Sequence, residues 1–183
     1  SCVAGLKRGI EKESLRCSGS GDLSLTPHPE ALGSALTHSW ITTDFSEAQL
    51  ELITSVHPKA VECLEELNDI HRFVWENLAT GEAIWPSSMP CILPKDPEDI
   101  PIGFYGTSNA GIAKTVYRRG LGNRYGKTMQ MVSGIHYNFS FPESFWQTLG
   151  IADEPTKTSV YLGTMRNFRR YSWLLIYLSL IHI

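Results

Sequence analysis

The chain has 183 residues, of which 42% are hydrophobic and 19% charged, and its formal net charge is −3. This length predicts one domain, or one domain plus part of another. The small negative charge gives no electrostatic basis for binding nucleic acid or an anionic membrane. The apolar run over residues 173–183 is shorter than the ~20 residues that span a bilayer. We therefore expect no membrane or nucleic-acid partner and a cytoplasmic protein whose cysteines are reduced: Cys2, Cys17, Cys63 and Cys91.

The first half of the chain predicts a hairpin, further extended segments and a long helix. Residues 7–16 form the first strand, 17–22 a turn and 23–25 a short return strand. Residues 41–44 lead into a turn, and the alternation over 50–56 predicts a strand. Pro58 and Gly81 bracket a helix. Its apolar side is predicted to comprise Val61, Leu64, Leu67, His71, Val74 and Leu78, with His71 structural rather than a ligand.

The second half predicts one strand between helices. The proline-rich segment 85–101 is irregular, and the turn 106–109 caps a helix over about 110–121. A strand over 135–141 is followed by a short helix (142–149), a polar loop (151–158) and a long helix (159–178). The core side of this last helix is predicted to be Val160, Met165, Phe168, Leu175 and Leu178. Neither a dinucleotide fingerprint nor a P-loop occurs, so we expect an α+β fold with a mainly antiparallel sheet.

Two carboxylates on the first strand are the most informative feature. Glu11 and Glu13 are two residues apart, so in a strand they point to the same face. Adjacent acids repel unless a cation or a shared proton lies between them, and Mg²⁺ prefers such oxygen ligands. The alternative is an edge strand whose charges face water.

A second strand offers polar groups in strict alternation. Ile135, Tyr137, Phe139 and Phe141 are predicted to be buried, which leaves His136, Asn138 and Ser140 on the other side. An ordinary solvent-facing side is the alternative. If the strands share a sheet, Glu11 and Glu13 converge with Asp44, Glu51 and His136, a ligand set suited to Mg²⁺ or Mn²⁺.

A series of separate motifs runs in order along the chain: Gly5–Arg16, His28–His38, Ile41–Thr54, Trp85–Pro90, Tyr105–Asn109, Tyr117–Leu121, Arg124–Gly126 and Gly134–Ser140. Together they resemble the motifs of glutamate–cysteine ligase of the bacterial single-chain type. The resemblance covers nearly the whole chain to about residue 177.

This resemblance implies a glutamine-synthetase-like fold, with a curved antiparallel sheet and flanking helices. It implies ATP-dependent ligation of glutamate to cysteine through γ-glutamyl phosphate, the first step of glutathione synthesis. Its small-molecule partners would be glutamate, cysteine and ATP. By resemblance, Glu11, Glu13, Glu51 and His136 bind Mg²⁺ or Mn²⁺. Arg118 would place a fixed positive charge near the acyl phosphate, and the substrate-binding residues would be Asp44, Phe45, Tyr117 and Asn138.

The chain also departs from the family, whose members are longer. We therefore expect residues 1–177 to be the N-terminal part of one ligase catalytic domain, inactive alone. Residues 178–183 resemble a translated sequencing-adapter sequence and are expected to be a non-native tail. The alternatives are another carboxylate–amine ligase of the same superfamily, an inactive metal- or nucleotide-binding remnant, and a structural domain with solvated acids. Oligomeric state is left open.

Overall fold

The structure is a computed structural model that describes residues 4–180. The part of the predicted tail beyond residue 180 lies outside the described residues. The strands within this range are β1 (Lys7–Ser18), β2 (Ile41–Thr43), β3 (Gln49–Ile53), β4 (Glu82–Ile84) and β5 (Ile135–Ser140). The helices are α1 (Ala60–Glu76), α2 (Asn109–Tyr125), α3 (Glu143–Leu149) and α4 (Glu154–Leu180).

The strands form one sheet built around β1. Their order is β2-β3-β1-β4, and β5 also pairs with β1. The pairings of β1 with β3, β1 with β4 and β2 with β3 are all antiparallel. The predicted α+β fold with a mainly antiparallel sheet is therefore confirmed.

Helix α1 covers one face of this sheet. The cluster beneath it includes Leu50 and Leu52 from β3 and Leu67, Ile70 and Val74 from α1. The predicted helix is confirmed, but the prediction of which residues form its apolar side was partly wrong. Val61 and Leu64 are 56% and 52% exposed. The side of the helix that is buried against the sheet instead consists of residues spaced four and three apart: Cys63, Leu67, Ile70 and Val74.

Several boundaries differ from the sequence prediction. The return arm of the first hairpin is a single bridge between Cys17 and Leu23, not a strand, while β1 itself extends to Ser18. The short strand β4 was missed, because three residues give too little alternation to detect. Helix α2 extends to Tyr125 and ends at Gly126, which has a φ of 82°.

The prediction that the apolar side of β5 is buried was wrong. Ile135, Tyr137 and Phe139 are 68%, 57% and 44% exposed. Helix α1 packs over β1 and β3, and within residues 4–180 the hydrophobic cluster beneath it contains no side chain of β5. Alternation thus identified the strand but not what covers it.

Residues 7–139 form one compact unit, and residues 4–6 together with residues 140–180 form a second. The second unit is organised around aromatic rings. Phe141 stacks on Phe145 with centroids 4.2 Å apart, and the backbone N–H of Phe141 donates to the Tyr161 hydroxyl at 3.0 Å. Trp146 is 4% exposed and contacts these three rings.

Helix α4 begins earlier than expected, at Glu154, and its predicted core side is exposed except at Val160, which is half-buried. Met165, Phe168, Leu175 and Leu178 are between 47% and 65% accessible. The only other helix of this unit among the described residues is the seven-residue α3, which is too short to cover a 27-residue helix. Among residues 4–180, no helix is both long enough and apolar enough to cross a membrane.

Candidate metal and substrate site

The site is built on a pair of carboxylates that face each other across two strands. In the antiparallel register of β1 and β3, Glu13 lies directly opposite Glu51. Cross-strand partners of this kind have Cβ atoms about 5 Å apart, and like charges there are destabilising. Glu11 lies two residues before Glu13 on β1 and therefore shares its face. The structure thus brings three predicted ligands together on one face of the sheet.

Strand β5 contributes the groups that hold two of these carboxylates. The backbone N–H of Gly134 donates to Oε2 of Glu13 at 2.7 Å, and Nε2 of His136 lies 3.3 Å from Oε1. The side-chain amide of Asn138 donates to Oε1 of Glu11 at 2.9 Å. His136 and Asn138 therefore face the acids, as their alternation predicted.

Burial and the closeness of the acids make it costly for Glu13 and Glu51 to carry negative charge at the same time. Burial, together with the nearby charges of Asp44, Glu11 and Glu13, raises the pKa of Glu51 to about 7. Burial also raises the pKa of Glu13, against the opposing effect of the Gly134 N–H. Acids that resist ionisation together favour a shared proton or a bound cation.

Asp44 and Arg118 lie at the end of β2 beside this group. The Nε of Arg118 donates to the carbonyl oxygen of Asp44, and its Nη1 donates to that of Lys114 at 3.1 Å. These donors of Arg118 are therefore engaged by backbone oxygens, while its charge opposes the pKa increase of Glu51.

The structure says less about the two remaining predicted residues, Phe45 and Tyr117. Phe45 is 1% exposed and packs in the core with Leu15 and Met131, so it presents no open wall to a substrate. Tyr117 is 65% exposed on α2. The role of either residue in a substrate pocket stays a prediction.

The donor set fits a divalent cation in its chemistry. It consists of carboxylates and one imidazole, which suit Mg²⁺ or Mn²⁺. The raised pKa of Glu51 reflects burial and then nearby negative charge, and a cation would offset that charge. Within residues 4–180, however, no three side chains of His, Cys, Asp or Glu are grouped closely enough to hold a metal ion. A bound ion would therefore require these side chains to change rotamer.

Some residues that shape the site carried no direct signal in the sequence. Gly134 acts through its backbone N–H, which every residue except proline possesses. Ser88 and Ser133 fix the entry to β5: the Ser88 hydroxyl donates to the Ser133 carbonyl at 2.6 Å, and the Ser133 N–H donates to the Ser88 carbonyl at 2.9 Å. The motifs that contain these residues were noted, but nothing in them indicated a hydrogen-bond partner 45 residues away.

Two solved ligase structures share this fold. A glutamate–cysteine ligase from Francisella tularensis, crystallised in complex with AMP, matches 93% of this chain and 34% of its own length, with a TM-score of 0.84 and 38% identity. A bifunctional glutathione synthetase from Pasteurella multocida matches 94% of this chain and 23% of its own, with a TM-score of 0.83 and 37% identity. The fold and its acid-lined sheet face therefore define an α+β protein of the ligase class.

Sequence relatives narrow this class to one family. Glutamate–cysteine ligases of Bordetella petrii and Pseudomonas fluorescens are each 56% identical to this chain over 93% of its length, and that of Alcanivorax borkumensis is 52% identical over 96%. The profile of the glutamate–cysteine ligase family matches residues 1–179, and the chain belongs to this family. The resemblance drawn from the sequence motifs is thus confirmed. The chain spans about a third of the length of these curated relatives.

Proposed function

We propose that the protein containing this chain ligates the γ-carboxylate of glutamate to the amine of cysteine at the expense of ATP, and so catalyses the first step of glutathione synthesis. Family membership supports the reaction class. The observation that carries the proposal is the juxtaposition of Glu13 and Glu51, two carboxylates directly opposite each other on a sheet face. Such a pair serves no need of folding, because like charges in that position destabilise a sheet.

We assign the carboxylates of Glu11, Glu13 and Glu51, with His136, to hold Mg²⁺ or Mn²⁺. A divalent ion held there would supply positive charge to neutralise phosphate oxygens during phosphoryl transfer. In the metal-free chain, Asn138 and the Gly134 N–H hydrogen-bond to two of these carboxylates. In this arrangement Asn138 acts as a positioning residue for Glu11, and its part in substrate binding is indirect.

Arg118 and Asp44 form the other side of the proposed site. The guanidinium of Arg118 is held by backbone oxygens, so it supplies a charge of fixed position rather than a free pair of donors. A positive charge held in place stabilises negative charge that develops on a transferred phosphoryl group. Asp44, together with Phe45 and Tyr117, is assigned to the cysteine side, where a carboxylate attracts the substrate ammonium group.

The reduced state of the cysteines supports a cytoplasmic location. Cys17, Cys63 and Cys91 are free and buried in the described part of the chain. Buried thiols without a disulfide are usual in reducing compartments.

The proposal is tested by ADP release from the full-length gene product supplied with ATP, Mg²⁺, glutamate and a panel of amines. Cysteine and its close analogues are expected to drive release, and Glu13→Gln is expected to abolish most of it. Glu65→Gln, on the exposed side of α1, is the matched control. Equal release with several other amino acids would identify a different carboxylate–amine ligase. No glutamate-dependent release with any amine would refute the proposal.

A further inference from the structure

A buried tyrosine outside the acidic group fixes the backbone from which one of its acids projects. Tyr105 is 4% exposed, and its hydroxyl lies at the end of β2. The hydroxyl lies within hydrogen-bonding distance of two carbonyl oxygens, that of Thr43 at 2.6 Å and that of Asp44 at 3.1 Å, and can donate to either. The same oxygen accepts a hydrogen bond from the Thr43 side chain at 2.9 Å.

The main chain of Asp44 is thereby held on both sides. Its N–H donates to the carbonyl of Gln49 at 2.9 Å, and its carbonyl accepts from Tyr105 and Arg118. Fixing the N–H and C=O of one residue fixes the direction of its Cα–Cβ bond. The Asp44 side chain projects from the sheet face that carries Glu13 and Glu51, because Asp44 lies two residues after Thr42, the cross-strand partner of Glu51.

The ring of Tyr105 is itself closely confined. The Arg118 guanidinium lies over it at 4.5 Å from the centroid, and the Lys114 ammonium is 5.1 Å away. A Cβ at Gly103 would lie 3.0 Å from the Tyr105 hydroxyl, and one at Gly111 would lie 2.3 Å from the Tyr105 carbonyl oxygen. Both glycines allow backbone to approach the tyrosine, so its position is set by sterics as well as by hydrogen bonds.

We propose that Tyr105 is a positioning residue of the cation and substrate site, because its hydroxyl fixes the main chain of Asp44 and hence the placement of the Asp44 carboxylate beside Glu13 and Glu51. The expected effect on cation binding rests on the proposed function. The hydrogen bonds that Tyr105 makes to the main chain do not depend on it. Tyr105 is assigned to positioning rather than to contact with substrate.

The test is Mn²⁺ binding to the purified chain, followed by electron paramagnetic resonance, for wild type and Tyr105→Phe. Loss of an outer group that holds the surroundings of a metal site in place weakens metal binding by about tenfold or more, and about tenfold is expected here because Asp44 shares the sheet face of Glu13 and Glu51. Ser46→Ala is the matched control. This substitution also removes a buried hydroxyl, which lies two residues after Asp44 and donates to the Pro101 carbonyl at 2.7 Å. Ser46→Ala should bind Mn²⁺ like wild type despite a comparable loss of stability. Equal Mn²⁺ affinity of Tyr105→Phe and wild type would overturn the inference.

A second measurement separates this inference from the proposed cation site. Amide hydrogen exchange at Asp44 is expected to be about tenfold faster in Tyr105→Phe, since one net hydrogen bond is lost, and unchanged in Tyr125→Phe, whose ring is exposed. If wild type binds no Mn²⁺ but Asp44 exchange accelerates in this way, the cation proposal fails and the positioning role of Tyr105 stands. If Asp44 exchange does not change, the positioning role is refuted whatever the metal result.

Discussion

Replacing Glu51 with glutamine should stabilise the metal-free protein at alkaline pH and leave its stability unchanged at acid pH. The pKa of Glu51 is about 7 in the folded chain, against an ordinary value of 4.5. The folded state therefore binds this proton more tightly than the unfolded state does. The stability that protonated Glu51 contributes is fully present below about pH 4.5 and is lost as the pH rises through about 7.

The magnitude follows from the same pKa difference. Each pKa unit corresponds to about 1.4 kcal/mol between the two protonation states, which sets an upper limit of about 3 kcal/mol for Glu51. Glu51 is partly accessible, and solvent screening reduces this to about 1–2 kcal/mol. Glu51→Gln should gain that amount in free energy of unfolding at about pH 8, where the wild-type carboxylate is ionised.

The assay is urea denaturation with a chelator present, at about pH 5 and about pH 8. Glu65→Gln is the control, because its side chain is exposed on α1 and should show no such pH dependence. Saturating Mn²⁺ should stabilise wild type more than Glu51→Gln. The reasoning is refuted if Glu51→Gln is destabilised at alkaline pH, or if its stability difference from wild type is the same at both pH values.

Two further substitutions test the packing around the site. Arg16→Ala should destabilise the fold by about 3–5 kcal/mol, because Arg16 is fully buried and its loss leaves the Glu82 carboxylate, 2.9 Å from it, without its ion-pair partner. In urea denaturation, the double variant with Glu82→Gln should recover part of this stability. An equal loss in the single and double variants would argue against the pairing. Gly111→Ala should cost about 3 kcal/mol, since the new Cβ would meet the Tyr105 carbonyl oxygen at 2.3 Å, whereas Gly120→Ala on the same helix meets open space and should gain up to about 1 kcal/mol in thermal melts. Similar effects at the two glycines would contradict the close approach of α2 to Tyr105.

The sequence allowed much of the sheet face to be predicted, because the period of a strand is a local property. The spacing of Glu11 and Glu13 and the alternation of His136 and Asn138 each placed side chains on one face without knowledge of the partner strand. What could not be predicted was the register. That Glu51 lies opposite Glu13 depends on how two strands slide past each other, and no local pattern specifies this.

Burial was the least predictable property. The same alternation that identified β5 suggested a buried apolar side, yet Ile135 is 68% exposed. Whether an apolar strand face is covered depends on the path of distant elements, and α1 covers β1 and β3. The hydroxyl of Tyr105 shows the same limit for polar groups. Its partners, Thr43 and Asp44, are about 60 residues away in sequence, and only the fold brings them within hydrogen-bonding distance.

The central claim is that the carboxylates on this sheet face bind a divalent cation together. Anomalous diffraction from crystals of the chain grown with Mn²⁺ tests it directly. We expect a peak at about 2.0–2.5 Å from carboxylate oxygens of both Glu13 and Glu51, the range for divalent cations bound to oxygen, and no peak in Glu13→Gln crystals grown in the same way. Manganese that contacts neither carboxylate, or a peak that is unchanged in Glu13→Gln, would contradict the account.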